Sequence, residues 1–306
     1  MKNTRLTVSV GIPVYNEEHN IAKLLKLLES QRQTNYSLLE ILVFTDGCTD
    51  DTVKIIKNFK TKIIKLKIGN ERLGQQLRQN QIIKARQGNV LVIIEGDTLP
   101  ENEYTLERLV KPFVDNKAKN LGMVVGNDCA VMPKTFFEKI IFNSDKLKHE
   151  IFDHLNKGIN IYTTGGHSMR AFSKEFTKYL EWPKDAPEDS YVYLRIRELG
   201  FTILRQKDAK SYMRNVTHIK DRTRQSAKFV SGKRALFKYF PDDLIKSEYY
   251  VPKRLIIGNL IAHFAKNPFW TTASIFEQII NIFLTSKTDK VDAIFNIYPS
   301  TKTLEV

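Results

Sequence analysis

Cysteine is nearly missing from this sequence: Cys48 and Cys129 are the two among 306 residues. Two thiols cannot staple a chain of this length or build a cysteine-based metal site, and their scarcity fits a reducing compartment. Long apolar runs are missing too. No stretch approaches the roughly 20 uninterrupted apolar residues of a membrane-crossing helix. Lys2 and Arg5 lead into the alternating segment LTVSV, not into the apolar core and cleavage site of a secretory signal. Both absences point to a cytoplasmic chain. Acids are in deficit: 48 Lys and Arg face 34 Asp and Glu, a formal net charge of +14. That excess attracts polyanions in general, but the lysines between Lys54 and Lys67 are scattered and read as solvated faces. The composition, 42% hydrophobic and 27% charged, excludes a disordered or fibrous chain. The length allows one large domain or two modest ones.

What is present begins with alternation. Residues 6–14 and 39–44 are apolar and strand-like, and 90–95 (VLVIIE) is the most hydrophobic strand candidate. A short strand is expected at 62–68. Helical spacing appears over 21–28 (IAKLLKLL), 50–59 and 77–86. Strand–helix alternation of this kind builds a parallel sheet with helices on both faces, and such sheets bind ligands outside the carboxyl ends of their strands.

Those strand ends carry acids. Glu17 and Glu18 follow the first strand, Asp46 and Asp50 the second, and Glu95 and Asp97 the strand at 90–95. One acid of this kind is ordinarily a helix cap. Three strands delivering acids to one edge bring like charges together, which is costly unless a cation sits among them. Hard oxygen ligands in that number suit Mg²⁺ or Mn²⁺, usually shared with phosphates.

Farther along, a short strand is expected at 124–132 and an amphipathic helix at 134–155. A small-residue loop (YTTGGH) then leads into a strand at 168–172. The proline-bounded loop WPKDAP delivers Glu188 and Asp189 to the start of a helix at 190–199, which Gly200 closes, before another strand at 201–205. Two apolar helical segments follow, 255–265 and 269–284, separated by Asn267-Pro268. In the second, Phe269, Trp270, Ala273, Phe276, Ile280 and Phe283 form an apolar stripe with Glu277 and Asn281 as a polar flank. Packing onto the rest of the chain and docking in a membrane interface both fit this pattern.

Taken in order, VSVGIPVYNEE, VFTDGCTDDT, GNVLVIIEGDTLPE, GGHSMRAF and PEDSYVYLRIRELGF resemble the inverting glycosyltransferases of family 2, which have the GT-A fold. The resemblance runs from residue 6 to residue 229. It implies an α/β fold, a Rossmann-like mixed sheet flanked by helices, followed by a C-terminal helical extension. Residues 1–235 would form the catalytic domain, with a nucleotide-binding half at 1–130 and an acceptor-binding half at 131–235. Residues 236–306 would form the extension.

The resemblance also implies roles, position by position. Pro13, Tyr15 and Glu17 match the segment that flanks the nucleotide base, and Asp46 matches the acid that hydrogen-bonds the base. Thr45 stands where many relatives have a second Asp. Gly74 and Asn80 fall in a nucleotide-side stretch, although Gln75 replaces the usual Lys. Glu95-Gly96-Asp97 matches the Asp-x-Asp motif, whose last acid holds the metal under the diphosphate, and Asp189 matches the catalytic base. Gly165, Gly166, His167 and Glu188 fall on the acceptor side. Arg224, Gln225 and Lys228 lie where processive relatives carry Gln-x-x-Arg-Trp at the diphosphate, with Lys and Phe replacing Arg and Trp here. His218 stands where some GT-A enzymes place a metal-binding histidine.

The implied activity is transfer of a sugar from a nucleotide-diphosphate donor, a UDP-sugar first, to the hydroxyl of a glycan, lipid-linked or small-molecule acceptor. Mg²⁺ or Mn²⁺ assists, and the location is the cytoplasm or the cytoplasmic face of a membrane. A nucleotidyltransferase would show a Gly-rich signature with Arg and Lys after the first strand, and VYNEEHN has none. A sugar-nucleotide-binding protein without transferase activity would tolerate losing Asp189, which is intact. A nucleic-acid partner would explain the charge but leave the acids without purpose, so none is expected.

Overall fold

Residues 6–94 fold as their apolar periodicities require. Strand β1 (Leu6–Val14) is followed by helix α1 (Ile21–Glu29), β2 (Tyr36–Thr45), α2 (Thr52–Lys57), β3 (Ile64–Lys67), α3 (Gln75–Ala85) and β4 (Val90–Ile94). The computed structural model describes residues 5–165, 168–286 and 301–304. In it β1 pairs in parallel with both β2 and β4, and β2 with β3. Every residue of β4 is buried because helices cover both faces of the sheet. The two cores separate with the period-two pleat. Val90, Val92 and Ile94 join the α1 side with Val8, Val10 and Ile12, while Leu91 and Ile93 join the other side with Leu42 and Phe44.

After β4 the parallel rule ends. The chain continues through β5 (Leu99–Pro100), α4 (Thr105–Val114), β6 (Leu121–Ala130), α5 (Phe136–Asp153), β7 (Met169–Ser173), α6 (Glu188–Glu198) and β8 (Thr202–Met213). β7 inserts antiparallel between β4 and β6, and β8 runs parallel to β6, giving the order β3-β2-β1-β4-β7-β6-β8-β5. The sheet is therefore mixed, as the family resemblance implies, and not wholly parallel as the opening alternation alone suggests. It also passes without a break from residues before 130 to residues after it. β8 continues past the expected end at 205 because Lys207, Lys210 and their polar neighbours hide the alternation, while pairing with β6 and β5 holds the backbone extended.

Local signals hold where they are chemical. Thr135 and Glu138 form a capping box on α5. Gly200 adopts a φ of 70° just past α6, a left-handed stop for which glycine is suited. Helices α7 (Ile219–Leu236), α8 (Asp242–Glu248), α9 (Lys253–Lys266) and α10 (Pro268–Ser286) follow, with α10 packed on α5 and α7. Among the described residues no helix is long and apolar enough to cross a membrane. Both cysteines are free.

Candidate active site

The carboxyl ends of β1, β2 and β4 meet one sheet edge, and the antiparallel β7 begins there. Glu17 is almost fully buried at this edge. A Cβ on Gly96 would lie 2.8 Å from Cγ of Glu17, so the glycine lets the end of β4 close directly onto the end of β1. Glu95 and Asp97 flank that glycine and are partly exposed. Burial, and after it the charge of Glu17, raise the pKa of Asp97 to about 6 against the opposing pull of Lys302. Glu95 is raised too, by burial and then by Asp97. Asp128, on β6, adds to the negative field at both. It accepts from the amide and hydroxyl of Ser168 and from the hydroxyl of Ser211, each at 2.8 Å.

Asp46 does different work at the same edge. It is buried and accepts from the amides of Leu73 and Gly74, at 2.8 and 2.9 Å, and from Nε of Arg78 at 2.8 Å. The acid thus fixes the loop before α3 and its glycine, whose φ of 96° lies in the left-handed region. Tyr15 stands partly exposed beside this loop, with the guanidinium of Arg72 4.0 Å from its ring centroid. Pro13 is buried within β1, opposite Phe44. Asn80 is buried and bonds both ways with the main chain of Trp182, at 2.8 and 2.9 Å. Its amide braces α3 against the loop that delivers Glu188 and Asp189.

Those two acids open α6. Arg170, fully buried in β7, donates to Glu188 at 2.7 Å and also acts electrostatically on Glu95 and Asp189. It joins the two acid groups into one field. Burial nevertheless lifts Glu188 to about 7, because it outweighs the nearby guanidinium and Asp189 and Glu95 add to the rise. Asp189 is partly exposed and bonds to the amide of Ser190 at 2.6 Å. Tyr249, whose own pKa is raised by burial and by Asp189, stands close by. Its ring meets Tyr162 edge-on at 5.8 Å and Phe229 at 6.0 Å, while Tyr162 stacks on Phe152 at 4.1 Å. Gly165 ends the one-turn π-helix Ile161–Gly165 on the same side. Gly166 and His167 lie outside the described residues.

A mixed sheet with acids gathered at one edge narrows the family, and the comparison with known proteins decides it. Residues 9–179 match the model of Glycosyl transferase family 2. The chain belongs to this family. Glycosyltransferase AglE of Haloferax volcanii is 36% identical over 110 residues, covering 35% of this chain and 36% of AglE. The match thus spans about a third of that relative's length. The fold is GT-A. Mannosyltransferase PcManGT from Pyrobaculum calidifontis, solved in complex with GDP-Man and Mn²⁺, superposes with a TM-score of 0.59 at 17% identity over 93% of this chain and 84% of that one. S. aureus TarS 1-349 in complex with UDP-GlcNAc gives 0.55 at 16% identity, over 92% and 89%.

Within this family 2 fold the other expected residues are spread out. Arg224 and Gln225 are exposed on α7, and Lys228 on the same helix is partly exposed. The neighbouring Arg222 instead turns inward, to Asp145 at 2.6 Å and Glu277 at 3.2 Å. His218 is exposed at the start of α7, its Nδ1 2.9 Å from the hydroxyl of Thr217. Among the described residues no three Asp, Glu, His or Cys side chains form a metal cage. The donor set around Asp97 still fits Mg²⁺ or Mn²⁺, which typically keep several waters and take one or two carboxylates plus phosphate oxygens. Four residues at the site escape sequence reasoning. Arg170 and Asp128 lie inside strands, where a polar residue looks like a solvated face. Arg78 lies within a polar helix, and Lys302 follows the last recognisable helix by fifteen residues and more.

Proposed function

We propose that this family 2 glycosyltransferase moves a sugar from a nucleotide-diphosphate donor to an acceptor hydroxyl by a single, inverting displacement. The observation that carries the reading is the joining of two acid groups across one sheet edge, with Arg170 acting on both Glu95 and Glu188. One group suits the donor and the other the acceptor. On the donor side, Tyr15, Glu17 and the loop fixed by Asp46 and Gly74 receive the nucleotide, with Pro13 setting the strand end behind them. Asp97, with Glu95 beside it, would hold Mg²⁺ or Mn²⁺, and a divalent ion there neutralises charge on the leaving diphosphate as it develops. Arg224, Gln225, Lys228 and His218 remain candidates for contact with the diphosphate and its metal from α7.

On the acceptor side Asp189 takes the proton of the attacking hydroxyl. A carboxylate in that role typically contributes about 10²–10⁴-fold. Glu188, paired to Arg170, keeps the start of α6 in place, and the Tyr162, Phe229 and Tyr249 rings give a sugar acceptor an apolar wall. Residues 1–235 then make up the catalytic domain and 236–306 an extension. We place the enzyme in the cytoplasm or on the cytoplasmic face of a membrane, because α9 and α10 turn large apolar side chains and basic residues outward.

A donor screen by thermal shift in the presence of Mn²⁺ tests the reading, with UDP-sugars first and GDP-mannose second. The hit should raise the unfolding midpoint, and product analysis should then give a glycoside of inverted anomeric configuration. A retained configuration would refute single displacement.

A further inference from the structure

Residues 301–304 lie against the donor edge, and several contacts fix them there. The side-chain amide of Asn20 donates to the carbonyl of Lys302 at 2.7 Å, and its oxygen accepts from the amide of Leu304 at 3.1 Å. Leu304 is buried in the core beneath β1 and α1. Arg214 donates to the carbonyl of Thr303 at 3.2 Å. This is a preorganised seat, with three hydrogen bonds from side chains to its main chain and an apolar anchor, and it aims one side chain. The ammonium of Lys302 pairs with the carboxylate of Glu17 and donates to the carbonyl of Tyr15 at 3.3 Å. It is about three-quarters buried.

The charge balance at the edge says what that ammonium is for. Glu17, Glu95, Asp97 and Asp128 act on one another there, and the buried Arg170, whose charge also reaches Glu95, is hydrogen-bonded to Glu188. An anion entering such a field is repelled unless cations offset it. Gln75, where the resemblance implies a lysine, brings only a neutral amide, 3.3 Å from Glu95. Lys302 brings a fixed positive charge to Glu17 and Tyr15, and that charge reaches Asp97.

We infer that Lys302 is a donor-binding residue, and that residues 302–304 form a wall of the donor site. The ammonium held between Glu17 and Tyr15 gives an anionic oxygen of a nucleoside diphosphate a partner supplied by the protein itself, independent of any metal. Asn20 and Leu304 are positioning residues, because they act by seating Lys302. This inference rests on the nucleotide-sugar reading above.

Calorimetric titration of UDP and of GDP into the full chain, once in EDTA and once with Mn²⁺, tests it. Lys302→Met should weaken binding in EDTA by at least about tenfold, the low end of the worth of a hydrogen bond to a charged group. Lys302→Arg should restore most of it. Leu304→Ala, which keeps the ammonium but trims its anchor, should weaken binding in the same direction, and thermal unfolding of each variant checks that the fold is kept. Equal affinity in Lys302→Met would make Lys302 a counter-ion of Glu17 and nothing more. Tighter binding would make the segment an obstruction, and either result overturns the inference while leaving the nucleotide-sugar reading intact. Failure of the unaltered chain to bind either nucleotide, with or without Mn²⁺, would overturn both.

Discussion

Glu188 and Asp189 are neighbours in sequence, yet their surroundings give them different tasks. Glu188 is held by a buried guanidinium and shifted by burial to about 7. Asp189 is partly exposed, with the Tyr249 ring beside it. Asp189→Asn should lower transfer to acceptor by at least about 10²-fold, the scale of a lost general base, and leave donor affinity nearly unchanged. Transfer kinetics and nucleotide titration on one preparation check both halves, and a few-fold effect would move the base elsewhere. For Glu188 the consequence is one of stability. Its folded value lies above the ordinary carboxylate value of 4.5, so the unfolded chain gives up that proton first as pH rises. This group therefore costs stability progressively from about pH 4.5 to about pH 7, and the full cost persists above. In Glu188→Gln the fall in unfolding free energy between about pH 5 and about pH 8 should shrink by about 1 kcal/mol or more, read from urea denaturation at the two pH values. The acids at the strand ends and at the start of α6 were legible because they follow recognisable strand or loop signals. Arg170 was not, since only the fold reveals that this β7 position faces a buried carboxylate.

Helix α10 shows where an apolar stripe misleads. The stripe and the polar flank are both present, but the flank is the side that faces the protein. Thr271, Ser274, Glu277 and Asn281 are buried. Glu277 accepts from Ser144 at 2.9 Å and from Arg222 at 3.2 Å, and Asn281 donates to Ser226 at 2.6 Å. Phe276, Ile279 and Ile282 point outward, with Phe276 62% and Ile282 69% exposed. On α9, Ile257, Ile261 and Phe264 do the same. Periodicity identified the helix but not which side wins the core, because paired polar groups from α5 and α7 took that place. The exposed side of the two helices carries Lys253, Arg254 and Lys266, and their one acid, Glu277, is buried against Arg222. Such a face complements an anionic lipid surface, where each basic residue adds about 1 kcal/mol. The full chain should therefore sediment with anionic vesicles and be released only in part by high salt, since apolar contact is not screened. Phe264→Ser combined with Phe276→Ser should abolish sedimentation without lowering the unfolding midpoint. A full chain that ignores vesicles would contradict the membrane-face reading.

Across the whole molecule, sequence reasoning reached the class of fold through two separate routes. Periodicity supplied the four parallel strands from β1 to β4. It supplied neither the antiparallel insertion of β7 nor β5 and α4, because strand order depends on long-range pairing that no local pattern records. Five motifs in order supplied the mixed sheet. The net charge of +14 likewise does not record that Glu17, Glu95, Asp97 and Asp128 gather at one sheet edge, a grouping that exists only in three dimensions. The proposed transfer depends on that edge receiving a nucleotide diphosphate together with a divalent ion. Calorimetric titration of UDP and GDP with Mn²⁺, repeated in EDTA and again with Asp97→Ala, tests this most directly. Affinity should be highest with Mn²⁺ and fall by at least about tenfold on chelation or in the variant, the scale of one lost charge-assisted contact. Equal affinity with and without metal, and in Asp97→Ala, would contradict the account.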